Sequence, residues 1–263
     1  MNPTLVLIYS GDRTFVRQEW PSPSQFNHMI IAIQVSDGTT APTVVQLPSL
    51  GRFLVFDPTS ETTPMGDLPW YEQGSFAALI AGDKGAILKM PLTNPEANGT
   101  DLTIAAELTG SGALKALCDF VESGQSADKG RAQRLYRSPD EYRQSVQEFF
   151  SQRVKGVAIS KLDADRFDEN RFRLSVELNL PLYGQLMQGR LLVFNPSVIE
   201  PAHPMFPMNA TRTEPIILRL KVTGNTFTLS CRTDLLLTKC LCQLSNVQLG
   251  GSFSLYLGRN QGK

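Results

Sequence analysis

The sequence predicts an α+β protein, mostly β, in which an antiparallel sheet is followed by an antiparallel β-domain carrying one or two helices. Three observations lead there. Short apolar runs rich in β-branched residues recur between segments of Pro, Ser, Gly and Thr. One stretch alternates polar and apolar residues with a period of two, and one helix has complete start signals.

The first sheet is read from residues 4 to 9, 29 to 35 and 51 to 57. Thr62 to Leu92 then alternates turn residues with the short runs Phe76 to Ile80 and Ala86 to Leu88, which predicts a hairpin closing that unit. Asn94-Pro95-Glu96-Ala97-Asn98-Gly99 reads as a linker, so the chain divides into residues 1–92 and a β-rich domain over 98–263. In the second domain Leu102, Ile104, Ala106 and Leu108 alternate with Thr103, Ala105 and Glu107. Phe172 to Leu180 separates completely into a polar and an apolar face, so one side is buried and the other wet. Pro215 to Val222 and Thr226 to Cys231 flank Gly224-Asn225, a pair suited to a tight hairpin turn. A helix is predicted near 139–154. Ser138 caps it, Pro139 fits its first turn, Asp140 and Glu141 suit the dipole, and Tyr142, Val146, Phe149 and Phe150 share a face. Ala113 to Glu122, which contains Cys118, reads as a second short helix.

Composition limits function. With 25 basic and 25 acidic side chains among 263 residues, the chain has no excess positive charge to neutralise phosphates, which argues against a nucleic-acid partner. Small molecules, peptides or proteins fit better. No window approaches the roughly 18 consecutive apolar residues of a membrane helix, and the run Leu5 to Tyr9 is too short for a signal peptide. The two histidines, His28 and His203, leave two candidates for an imidazole base and nearly exclude a multi-histidine metal site. The cysteines are Cys118, Cys231, Cys240 and Cys242.

His28 stands immediately before one predicted strand and Asp57 at the end of the next. If those strands pair antiparallel, with Ile30 facing Val55, the two side chains become cross-strand neighbours. A carboxylate that accepts from one ring nitrogen leaves the other free to act as a base. The competing explanation is a histidine beside a turn-forming Asp57-Pro58-Thr59, and spacing alone leaves both open.

The segment Pro21 to Ile33, "PSPSQFNHMIIAI", with "GRFLVFDPTSETTPMGDLPWYEQG" at 51–74, resembles the His and Asp strands of the transglutaminase-like superfamily of papain-like cysteine enzymes. More narrowly it resembles bacterial multidomain proteins in which that core lies between β-rich domains of unknown function. The histidine opens its strand as "FNH", the aspartate ends the next as "DPT", and Met65-Gly66-Asp67-Leu68-Pro69-Trp70 occupies the place of the family's "LPW" segment. The "SPDEYR" helix and the "TEPIIL" stretch extend the likeness over most of the chain. The resemblance implies a partial transglutaminase-like sheet over 1–92, a β-sandwich type of second domain, His28 as general base and Asp57 as the group that orients it. It further implies acyl transfer from a peptide or protein substrate through a thioester, without a cofactor or metal, in a parent that is exported or periplasmic.

The chain departs from that pattern in one respect: the family's nucleophile is a cysteine at a helix start upstream of the histidine, and none precedes Cys118. The opening "TLVLIYSGD" is similar to the strand after the nucleophile helix. Two expectations follow, a fragment of a longer gene product, which we favour, or a diverged pseudoenzyme. Either should be inactive alone. A second class of function stays open, a non-catalytic module that engages a peptide or carbohydrate through an exposed Trp70-Tyr71 segment and an unpaired sheet edge.

Other residues read as ordinary. Cys118 is expected to be a buried structural cysteine. Cys231, Cys240 and Cys242 are expected in the core, a Cys231–Cys240 disulfide requiring adjoining strands. Ser22 and Ser24 lie too near His28 in a stiff proline loop to serve as nucleophiles. His203 sits in an exposed proline-rich loop whose Met205, Phe206 and Met208 pack over the sheet. Arg131, Arg134 and Arg137 form a solvated face. Asn98-Gly-Thr100 and Asn209-Ala-Thr211 match glycosylation sequons.

Overall fold

The computed structural model describes residues 3–20, 22–47, 50–168, 170–189, 191–195, 198–199, 222–231 and 251–256. The protein is α+β and mostly β, with two α-helices among the described residues. It divides into two compact units. The described part of Met1–Asn98 together with Ser123–Lys129 forms one, and Gly99–Glu122 with the residues described from 130 onward forms the other.

The first unit holds β1 (Thr4–Ile8), β2 (His28–Gln34), β3 (Val44–Leu47), β4 (Gly51–Phe56), β5 (Phe76–Ile80) and β6 (Ala86–Lys89). They form one sheet in the order β3-β4-β2-β1-β5-β6. Every pair in it is antiparallel. The three runs read from sequence are β1, β2 and β4, and β5–β6 is the expected hairpin; Val44–Leu47 adds a strand that was not anticipated. One face carries Val6, Ile8, Ile30, Ala32, Leu47, Phe53, Val55, Ala77 and Leu79, which cluster with Leu68 and Met90 to make the core. The opposite face is also apolar, yet Leu5, Met29, Ile80 and Ile87 on it are exposed.

The second unit holds β7 (Gly99–Leu108), β8 (Leu114–Ser123), β9 (Ala158–Asp168), β10 (Arg171–Leu180), β13 (Val222–Cys231) and β14 (Gly251–Tyr256). Their order is β14-β13-β7-β8-β10-β9. β11 (Gln185–Met187) and β12 (Leu191–Val193) form a small separate ribbon. The pairs β7–β8 and β9–β10 are antiparallel, whereas β13 runs parallel to both β7 and β14. Two expectations fail here. Where a helix was expected over 113–122 the chain forms β8, because Ala116 and Cys118 pair with Ala106 and Ile104 and bury one alternating face. Gly224-Asn225 makes no hairpin turn, since β13 passes straight through it in register with Asp101 and Leu102.

The helix α1 (Gln125–Leu135) was not anticipated; Arg131 in its second half is buried, while Arg134 and, just beyond its end, Arg137 are exposed, so only part of the arginine stripe is a solvated face. The helix α2 (Pro139–Ser151) has the expected start: Ser138 and Glu141 form a capping box. Its Tyr142, Val146 and Phe150 are buried, and Phe150 meets Phe120 of β8 edge-on. The presumed linker is a capped turn, with Asn94 over Pro95–Ala97. Asn98 is buried and its Oδ1 accepts from the Gln125 N–H, which closes that sequon to glycosylation in the folded chain. His203, Met205, Phe206, Met208, Asn209, Cys240 and Cys242, and the stretch Pro215 to Lys221, lie outside the described residues.

Candidate functional site

Antiparallel pairing brings the start of β2, the end of β1, the end of β4 and the start of β5 to one end of the first sheet. His28 opens β2 there, paired with Ile8. The side chain of Asn27 holds that junction, its Oδ1 accepting from the Ser10 N–H at 2.7 Å and its Nδ2 donating to the Ser10 carbonyl. Asp57 follows the last residue of β4. The observed β2–β4 register sets Ala32 against Val55, two residues from the pairing of Ile30 with Val55 expected from sequence. Asp57 is therefore diagonal to His28. A two-residue slip preserves which face a side chain occupies, so both remain on the core side.

His28 Nε2 lies 3.2 Å from Asp57 Oδ2. The other oxygen, Oδ1, accepts from the Thr59 N–H at 2.9 Å and the Thr59 hydroxyl at 2.8 Å. Both explanations offered by the sequence thus hold at once: Asp57 closes its own turn with one oxygen and meets the imidazole with the other. The aspartate side chain is 3% exposed and that of His28 is 26% exposed, so the ring is reachable while its partner is not. Nδ1 of His28 makes no hydrogen bond among the described residues.

The third member is Glu72, which the sequence reading missed. Its Oε1 lies 3.7 Å from His28 Nε2, and its side chain is fully buried. It arrives on the loop between β4 and β5, and that loop is fixed by a buried polar network. Asp67 Oδ1 accepts from the Leu68 N–H, Gln73 Nε2 and the Thr93 hydroxyl, and Gln73 Oε1 accepts from the Thr93 N–H. The Glu72 and Gln73 N–H groups both donate to the Pro69 carbonyl, a turn that sets Glu72 beneath the imidazole. Among the described residues neither oxygen of Glu72 has a hydrogen-bond partner. Burial first, and then the neighbouring charge of Asp57, push its carboxyl up to about 8, with Ser10 opposing; neither neighbour reaches hydrogen-bond geometry. Glu72 therefore keeps its proton at neutral pH. The only signal for it in the sequence was an acidic residue inside the otherwise uncharged stretch from Leu68 to Ile80.

His28, Asp57 and Glu72 present one ligand atom each, all within 4.8 Å of one another. Tyr71 borders the cluster, and burial followed by Glu72 and Asp57 raises its phenol. Trp70 and Tyr71 are half-buried and meet edge-on at 5.7 Å, so the exposed aromatic segment expected as a binding surface is instead packed. Ser22 caps the turn Pro23–Gln25 and shares a 2.7 Å contact with the Ser24 hydroxyl. Cys118 is a free thiol buried in β8, and burial pushes it up to about 12. Among the described residues no helix is long and apolar enough to cross a membrane. No family model matches the chain, and neither the curated proteins nor the solved structures searched contain a match.

Proposed function

We propose that the first unit carries the imidazole–carboxylate half of a cysteine-dependent acyl-transfer site of the transglutaminase-like class, directed at an amide of a peptide or protein. The observation that supports this is the 3.2 Å contact between His28 Nε2 and Asp57 on the core side of the sheet end, with Nδ1 unengaged. Donation from Nε2–H to Asp57 selects the tautomer whose Nδ1 lone pair is available. Nδ1 then takes the proton of an attacking thiol, the imidazolium is stabilised by Asp57, and the same proton passes to the leaving amine. Water or a second amine completes the transfer from the thioester. Glu72, neutral beside the pair, adds no second negative charge.

The thiol comes from outside residues 1–92, which contain no cysteine. Cys118 does not fit the role, because a thiol with a pKa of about 12 supplies almost no thiolate. With no thiol in residues 1–92 to stand beside His28, the chain alone should be inert toward amides and show only imidazole-driven hydrolysis of activated esters. In a p-nitrophenyl acetate assay the wild type should exceed the His28→Gln variant, which should fall to background. Asp57→Asn should lose roughly tenfold or more, and His203→Gln should match wild type. Equal rates in wild type and His28→Gln would sink the assignment. The apolar, exposed sheet face with Leu5, Met29, Ile80 and Ile87 favours a second reading, a non-catalytic interaction module. Full ester activity lost on His28→Gln would count against it.

A further inference from the structure

We propose that His28 Nε2, Asp57 Oδ2 and Glu72 Oε1 form a three-ligand site for a first-row divalent transition metal, Zn2+ being the ion whose geometry they fit. The inference does not depend on the acyl-transfer reading, since it concerns what the three side chains bind and not what a thiol does beside them.

The spacing is the first support. Zinc–nitrogen and zinc–oxygen bonds of about 2.0–2.2 Å at tetrahedral angles put neighbouring ligand atoms about 3.3–3.5 Å apart. The observed separations from Nε2 are 3.2 Å to Asp57 and 3.7 Å to Glu72, on either side of that value. The second support is Glu72 itself. It is a fully buried carboxyl, aimed at the imidazole, with both oxygens lacking a hydrogen bond among the described residues. Buried polar atoms are normally satisfied, and an orphaned one next to two other donor atoms marks a place for an ion. The surrounding bonds give the third. Asp57 Oδ1 is held by two donors from Thr59, which fixes the carboxylate with Oδ2 turned to the site, as outer hydrogen bonds do around metal ligands.

The donor set selects the ion class. One imidazole nitrogen and two carboxylate oxygens suit Zn2+ and its first-row neighbours, whereas Ca2+ and Mg2+ favour all-oxygen shells. Three protein ligands leave a fourth position for water. The partly exposed His28 ring gives an ion its way in, the other two side chains being closed to solvent.

The test uses the full chain, stripped with a chelator, in a background with Cys231, Cys240 and Cys242 changed to Ser and His203 to Gln, so that other soft ligands are removed. Calorimetric titration with Zn2+ should show one ion per chain. Glu72→Gln and Asp57→Asn, each checked for folding by circular dichroism, should each weaken binding about tenfold or more. As a second measurement, Co2+ added to the chain with its native cysteines should give a four-coordinate visible spectrum without thiolate charge transfer, abolished by His28→Gln. Absence of stoichiometric Zn2+ binding, or binding that Glu72→Gln leaves unchanged, would overturn the proposal.

Discussion

Asp67 and Glu72 stand five residues apart on one loop, and both are buried, yet they are treated in opposite ways. Asp67 is surrounded by donors: a backbone N–H, an amide and a hydroxyl all converge on Oδ1. Glu72 receives none. A buried carboxyl satisfied from several sides is a fastener, and removing it leaves other buried groups without partners. A buried carboxyl without donors costs stability where it is, which the fold tolerates next to His28 because the group there faces other chemistry. The loop thus contains both the anchor and the part that the anchor positions.

The largest effect expected from this contrast is a pH dependence. Burial pushes the Glu72 carboxyl up to about 8 in the folded chain, from an ordinary value of 4.5. A raised carboxyl pKa means that the folded state holds a proton the unfolded state has released. Stability is therefore full below the unfolded value and declines as pH rises through the folded one. Denaturant unfolding in the presence of a chelator should show wild type losing ground to Glu72→Gln by up to about 1.4 kcal/mol per pH unit across that window, on the order of 5 kcal/mol in total. Parallel curves for the two proteins would mean that Glu72 is not held in an uncompensated site.

Asp67→Ala should come next. It strips the acceptor from Gln73 and Thr93 and should cost about 3 kcal/mol at neutral pH, measured by urea unfolding. Zinc affinity should fall as well, because the loop presenting Glu72 loosens. A loss below about 1 kcal/mol would contradict the division between anchor and site. The smallest effect belongs to the second unit. There Ser138 and Glu141 satisfy each other at an exposed helix start, and Ser138→Ala should cost only about 1 kcal/mol in the same experiment.

Much of the first sheet was legible because alternation and turn residues survive in one dimension. The facing of His28 and Asp57 was legible for the same reason, and the two-residue register error did no harm because a period of two restores the face. Glu72 was not legible. Its place depends on Asp67, Gln73 and Thr93 meeting across 26 residues of chain, which no local pattern encodes. Counting histidines and cysteines also hid the metal possibility, since a set of one imidazole and two carboxylates leaves no spaced ligand pair in the sequence. β8 was misread because Leu114, Lys115, Ala116 and Leu117 are good helix formers, and pairing with β7 overrode that preference. The turn expected at Gly224-Asn225 failed similarly, as parallel pairing with β7 draws the strand straight through both residues.

Asp57 holds one ring nitrogen of His28, and catalysis as proposed needs the other to be free. Nitrogen-15 NMR of the His28 ring in the metal-free chain, at a pH where the imidazole is neutral, reads this directly. The predicted result is the Nε2–H tautomer with an unprotonated Nδ1, shifting toward a mixture in Asp57→Asn. A ring protonated at Nδ1, or a tautomer balance indifferent to Asp57→Asn, would contradict it.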